Sequence, residues 1–352
     1  ATDPRRPECA LLGRWRRRAL GRGSAACRHA PARGADFGAF GAGLIVGWTD
    51  SGRRPEFEVV TGISAGALIA PFAFLGPAYD AQLRDVFTGI SSTDVLVLGR
   101  ILTAVLFGEA IADTSPLYRL ISKHADQAML EAIAREYRRG RLLLIGTTNL
   151  DVRRPVVWNV GAIAASGHPG ALALFRDTLL ASASIPDAFP PVLIDLEENG
   201  RRYQEMHVDG GAAMQVFLYP PALDLRAEAL GLTPRRQRTA WVVRNGRVDV
   251  EPGTANRGIF GIARRSIETL LHFSGIADVQ RIYLTTPRDG VAFRLAAIGP
   301  DFNAPRPQPF DTAFMRALFD YGEARGRSGA GWVERPPPVG VLTPDTSLPA
   351  SP

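Results

Sequence analysis

Five residues constrain this chain more than any others: Gly62-Ile63-Ser64-Ala65-Gly66, set between the apolar run Val59-Val60-Thr61 and the small, apolar run Ala67-Leu68. A glycine-x-serine-x-glycine segment that closes a strand and opens a helix forces the serine backbone into a tight turn. Gly62 and Gly66 remove the Cβ atoms that would collide with the adjoining strand and helix. The turn is expected to leave the Ser64 hydroxyl exposed at a helix N-terminus. There the Ala65 N–H and the positive end of the helix dipole can stabilise an oxyanion. In a chain with 36 glycines the pattern alone is weak, because an ordinary strand-to-helix turn gives the same spacing. The flanking strand and helix patterns are what strengthen it.

A serine nucleophile needs a base. The histidines are His29, His124, His168, His207 and His272. His29 lies in an Arg-rich stretch, His124 on a polar helix face and His168 in a Gly-His-Pro-Gly turn. His272 has the chain order of a conventional triad histidine but falls in an apolar helical run with Ile267, Leu270, Leu271 and Phe273. The elbow of such an esterase also follows several strands, whereas Ser64 sits on the first recognisable one. The segment Met206-His207-Val208-Asp209-Gly210-Gly211 offers a better base. It places a carboxylate at the end of a short strand, and Gly210 and Gly211 permit close backbone approach. Partial desolvation raises the pKa of such an Asp and makes it a stronger base.

Hydrophobic residues at 46% and charged residues at 22% describe a globular chain. Strand patterns over Phe57–Thr61, Arg141–Thr148, Val156–Val160, Met206–Val208, Thr239–Arg244 and Arg281–Thr286 alternate with helical ones. The helical patterns cover Gly41–Trp48, Ala67–Phe74, Leu172–Ala181, Ser266–Phe273 and Ala313–Arg325. The alternation predicts a three-layer α/β/α domain with a largely parallel central sheet over residues 33–332. Residues 1–32 read as a basic disordered arm and residues 333–352 as a Pro-rich disordered tail. The net charge of +6 sits in the arm: residues 1–34 hold nine Arg against Asp3 and Glu8, so the remainder is near neutral. That distribution argues against a nucleic-acid partner. Cys9 and Cys27 cannot build a disulfide framework or a metal-binding thiol cluster. No apolar run has the length of a membrane span.

Together these segments resemble the patatin-like phospholipases. The stretches that carry the resemblance are Gly38–Gly43, Thr61–Leu68, Thr147–Asp151, Ala181–Pro186 and Val208–Gly211. The resemblance implies a Ser64–Asp209 dyad, lipid esters as substrates and no metal or cofactor. It also implies an oxyanion loop at Arg33–Gly38, with Gly34 and Gly38 matching and Arg33 and Ala35 standing where the family has glycine. Gly34, Ala35 and Ala65 are then the expected oxyanion donors. The apolar strand that should precede this loop is missing from the pattern of residues 25–32, and the abrupt change at about residue 33 is consistent with a shift of reading frame. The loop is accordingly expected to be poorly anchored and the activity weak. The apolar run Asp94–Phe107 is a candidate acyl-chain groove or site of peripheral membrane contact, and reads equally well as a buried core helix. The Arg cluster is not followed by an apolar signal core, so as it stands the chain reads as cytoplasmic, although related bacterial proteins are often exported. The alternatives are a catalytically weak lipid-binding relative and an esterase using His272.

Overall fold

Strand β3 (Leu142–Asn149) is buried at every position, as a strand covered on both faces of a sheet must be. The computed structural model that contains it describes residues 25–30, 35–90, 115–186, 189–198, 200–218, 237–249 and 258–337. In chain order, strand β1 (Ala25–Ala30) precedes a 3-10 turn at Ala35–Phe37, helix α1 (Gly38–Asp50), β2 (Val59–Gly62), α2 (Ala65–Leu75) and α3 (Asp80–Thr88). Helices α4 (Ser115–His124) and α5 (Gln127–Arg138) lead into β3, and then come β4 (Arg154–Asn159), α6 (Val160–Ala165) and α7 (Ala171–Ala183). The antiparallel pair β5 (Val192–Glu198) and β6 (Arg201–Asp209) is followed by β7 (Arg238–Arg247), α8 (Ile259–Arg288), β8 (Val291–Ile298) and α9 (Thr312–Ser328).

One eight-stranded sheet runs β5-β6-β3-β2-β1-β7-β8, with β4 paired to β3 off this path. The pairs β3–β2, β2–β1, β1–β7 and β7–β8 are parallel, so the centre and one flank form the parallel body. Helices flank the sheet in the α/β/α arrangement.

Two sequence expectations are corrected. Residues 25–30, which carry no strand pattern, form the central strand β1. It pairs with β2 from Ala26↔Val59 to His29↔Gly62 and with β7 from Ala25↔Thr239 to Ala30↔Arg244. Hydrogen bonding on both edges fixes this strand where local propensity does not. Second, Arg281–Thr286 is helix and not strand, being the end of α8. Its buried positions Val279, Ile282 and Thr286, with Tyr283 packed beside them, recur at helical spacing. That period overrides the β preference of Ile, Tyr and Thr. Strands β5 and β8 escaped the sequence reading. The Asp94–Phe107 run lies outside the described residues, as do residues 1–24 and 338–352.

Helix α1 is buried from Gly38 to Trp48 and forms the spine on which α9 packs. Glycines let the two backbones touch: a Cβ at Gly43 would lie 2.0 Å from the Phe319 carbonyl oxygen, and one at Gly322 would lie 2.3 Å from that of Phe40. Trp48, Trp241 and Trp332 form a mutual aromatic cluster with centroids 4.6–4.7 Å apart, joining α1, β7 and the segment after α9. Asp311 caps α9 by accepting from the Phe314 N–H at 2.8 Å, and Gly329 ends it in the left-handed region. Among the described residues no helix is long and apolar enough to cross a membrane.

Candidate active site

Strand register explains why Ser64 and Asp209 meet. On β3, Ile145 pairs with both Gly62 of β2 and Trp158 of β4, while Thr147 pairs with both Val156 of β4 and Asp209 of β6. Because β4 runs along one edge throughout, β6 takes up the edge of β3 that β2 leaves at Gly62. Asp209 therefore sits two residues further along β3 than the end of β2, roughly 7 Å on at strand rise. The chain turning out of β2 reaches Ser64 at the same level.

Ser64 adopts φ 56° and ψ −130°, a conformation sparsely populated by any residue with a Cβ. The strand-to-helix turn imposes it. The Gly66 N–H donates to the Ile63 carbonyl at 2.9 Å and the Ala67 N–H to the Ser64 carbonyl at 2.8 Å. A Cβ at Gly62 would lie 2.4 Å from the Gly66 carbonyl oxygen, so the elbow closes only around glycine. Among the described residues the Ala65 N–H makes no hydrogen bond, which leaves it at the helix start beside the serine. The expectation of an exposed serine is corrected: Ser64 is 1% exposed. The end of α7 packs against the elbow through Ser182, and the Asp209–Gly211 turn packs beside it.

Asp209 is 4% exposed. Its Oδ1 accepts from the Gly211 N–H at 2.7 Å, and its own N–H donates to the Ser184 carbonyl at 2.9 Å. Gly210 permits this approach, since a Cβ there would lie 2.6 Å from the Gly146 carbonyl oxygen. Burial pushes the Asp209 carboxyl up to about 7, against the opposing pull of the Ser64 hydroxyl and the Gly211 amide. Oδ2 makes no hydrogen bond of standard geometry among the described residues, yet the Ser64 hydroxyl is near enough to favour the ionised form. The contact is thus close but not aligned, which is common for a serine and its base before substrate engages them. Opposite Asp209, Thr147 Oγ1 accepts from Trp158 Nε1 at 2.8 Å and bonds His207 Nδ1 at 2.9 Å, steadying the end of β6.

The loop before α1 is better held than its sequence implies. Its Asp36 is fully buried and receives Arg306 Nε at 2.7 Å, Arg306 Nη2 at 3.2 Å and the Phe310 N–H at 3.2 Å. Gly38 lies against α2, where an added Cβ would be 3.0 Å from the Ala65 Cβ. The Ala35–Phe37 turn is thereby set beside the start of α2, and β1 supplies the strand thought to be missing. Gly34 lies outside the described residues. His272, the alternative base, sits in α8 with its ring edge-on to Phe273.

Sequence reasoning missed the role of Ser182. Its hydroxyl accepts from the Ser64 N–H at 3.0 Å and donates to the Gly146 carbonyl at 2.7 Å. The only sequence signal was the small-residue run Ala181–Ser184 ahead of Pro186. The missed Asp36–Arg306 pair spans 270 residues, a separation that no local pattern reveals.

A mainly parallel sheet with a strained serine where a strand passes into a helix defines an α/β protein of the serine-elbow class. The sequence profile of the patatin-like phospholipases matches residues 33–221, more than half of the chain, and the chain belongs to that family of lipid acyl hydrolases. Among curated proteins none matches. One solved structure, VipD from Legionella pneumophila, aligns with 88% of this chain and 68% of its own at 12% identity, with a TM-score of 0.37.

Proposed function

We propose that this chain hydrolyses carboxylic esters of lipids through an acyl-enzyme on Ser64, with Asp209 as the base. The observation that carries the reading is the pairing of a strained elbow serine with a buried carboxyl whose pKa stands near 7. A base poised near the working pH takes a hydroxyl proton and returns it with little penalty in either direction. Ser64 Oγ attacks the ester carbonyl carbon as its proton passes to Asp209. We assign the oxyanion that forms to the Ala65 N–H, with the amides of Gly34 and Ala35 as the further donors that the family resemblance implies. Collapse expels the alcohol, which takes the proton from Asp209. Water, deprotonated by the same carboxylate, then attacks the acyl-enzyme, and the proton returns to Ser64 as the fatty acid leaves.

The surroundings favour an acyl chain. Among the described residues an apolar cavity is lined by Ala35 and Leu68, from the segments next to the elbow, and by Phe72, Phe87, Leu117 and Leu179, with His124 as the one polar residue. Such a lining suits a hydrocarbon chain and offers little to a polar acyl group. The test is hydrolysis of p-nitrophenyl butyrate and of dispersed phosphatidylcholine by wild type and Ser64→Ala. The variant is expected to fold and to lose at least about 10³-fold in rate. Retention of more than about one-hundredth of the rate contradicts the assignment.

A further inference from the structure

We infer that Ser182 is a positioning residue for the Ser64 nucleophile, a role that rests on the dyad reading above. Its side chain is wholly buried at the end of α7 and joins two strands' worth of backbone. The hydroxyl proton goes to the Gly146 carbonyl on β3 at 2.7 Å, and the oxygen lone pair receives the Ser64 N–H at 3.0 Å. The Ser64 amide follows β2, which ends at Gly62, and Gly146 stands one residue past the last β3 partner of β2, Ile145. Gly146 also lies under the elbow, where an added Cβ would be 2.8 Å from the Ile63 side chain. Ser182 therefore ties the nucleophile's own amide to the strand that holds Asp209.

The physical need for this tie is the conformation of Ser64. A non-glycine residue at positive φ persists only where its surroundings over-determine it, at a cost of about 1–3 kcal/mol. If the Ser64 amide is released, the peptide can relax toward an ordinary helix start, and the Oγ then swings off the Asp209 side. Among the described residues Ser182 makes no hydrogen bond to Ser64 Oγ or to the Asp209 carboxylate. Its removal should therefore lower the rate of the chemical step and, because the Ser64 hydroxyl helps to hold the Asp209 pKa down, should not shift the titration of the base below that of wild type.

The experiment measures kcat, KM and the pH–rate profile on p-nitrophenyl butyrate for wild type, Ser182→Ala and Ser182→Thr, normalised to sites titrated by a fluorophosphonate. Ser182→Ala is expected to lose about 10- to 100-fold in kcat, the scale of a small misplacement of a reacting group. Its KM should stay within about threefold, and its apparent pKa should be no lower than that of wild type, since the displaced Ser64 hydroxyl no longer favours the ionised Asp209. Ser182→Thr, which keeps the hydroxyl, is expected to recover most of the lost kcat. A folded Ser182→Ala with wild-type kcat per titrated site overturns the inference, because a purely structural serine changes the yield of sites and not their rate. If Ser182→Ala does not fold, Ser182→Cys takes its place: similar in size but a weak acceptor, it must show the same fall in kcat, and wild-type kcat in it overturns the inference. Wild type inert toward both ester and fluorophosphonate strikes instead at the dyad reading.

Discussion

At Ser64 and Asp209 the fold accepts two local penalties within one contact. The serine holds φ 56°, and the aspartate is buried without a counter-charge, so that its pKa is pushed up to about 7. The second penalty has a definite pH dependence. Below about pH 4 the carboxyl is protonated in both folded and unfolded chains. Between there and pH 7 the folded state keeps a proton that the unfolded state has released, so stability falls as pH rises, by about 4 kcal/mol in all. Asp209→Asn removes that dependence. The variant is expected to melt above wild type at pH 8 and to approach it as the pH falls to 5, while its ester hydrolysis collapses. Thermal unfolding at the two pH values, together with the rate, checks both halves. A variant that is less stable at pH 8 but keeps its rate would make Asp209 a structural turn residue.

Among the elements, the turn at Ala35–Phe37 between β1 and α1 carries Ala35, one of the oxyanion donors we propose. It is fixed from outside: β1 by β2 and β7, and Asp36 by Arg306 and the Phe310 amide. Arg306→Ala leaves a wholly buried carboxylate without its cation, which typically costs about 3 kcal/mol and frees the turn that carries Ala35. Denaturant unfolding is expected to report that loss, and the rate on a short ester to fall with it; an unchanged midpoint and rate would show that the pair anchors nothing. This element also marks the limit of what the sequence discloses. The strand-to-helix turn at Ser64, the strand end at Asp209 and the helices around the elbow are legible because glycine spacing and hydrophobic period are local properties. Strand β1 is not, because its place comes from pairing with residues about 30 and 210 positions away rather than from its own pattern. The end of α8 misleads for the opposite reason: Arg281–Thr286 has strand-forming residue types, but their burial follows the helical period.

For the molecule as a whole, the sheet brings a turn at the end of β2 and a strand end about 145 residues later onto one edge of β3, and α7 ties into that meeting point through Ser182. The central claim is that this point is a serine nucleophile driven by a carboxylate. The most direct measurement is the rate and site of fluorophosphonate modification as a function of pH, with the adduct located by mass spectrometry of the peptides. The account predicts one adduct per chain, on Ser64, forming with a rate that rises through an apparent pKa of about 7 and is lost in Asp209→Asn. An adduct on another residue, or modification of Ser64 at a rate unaffected by Asp209→Asn, would contradict it.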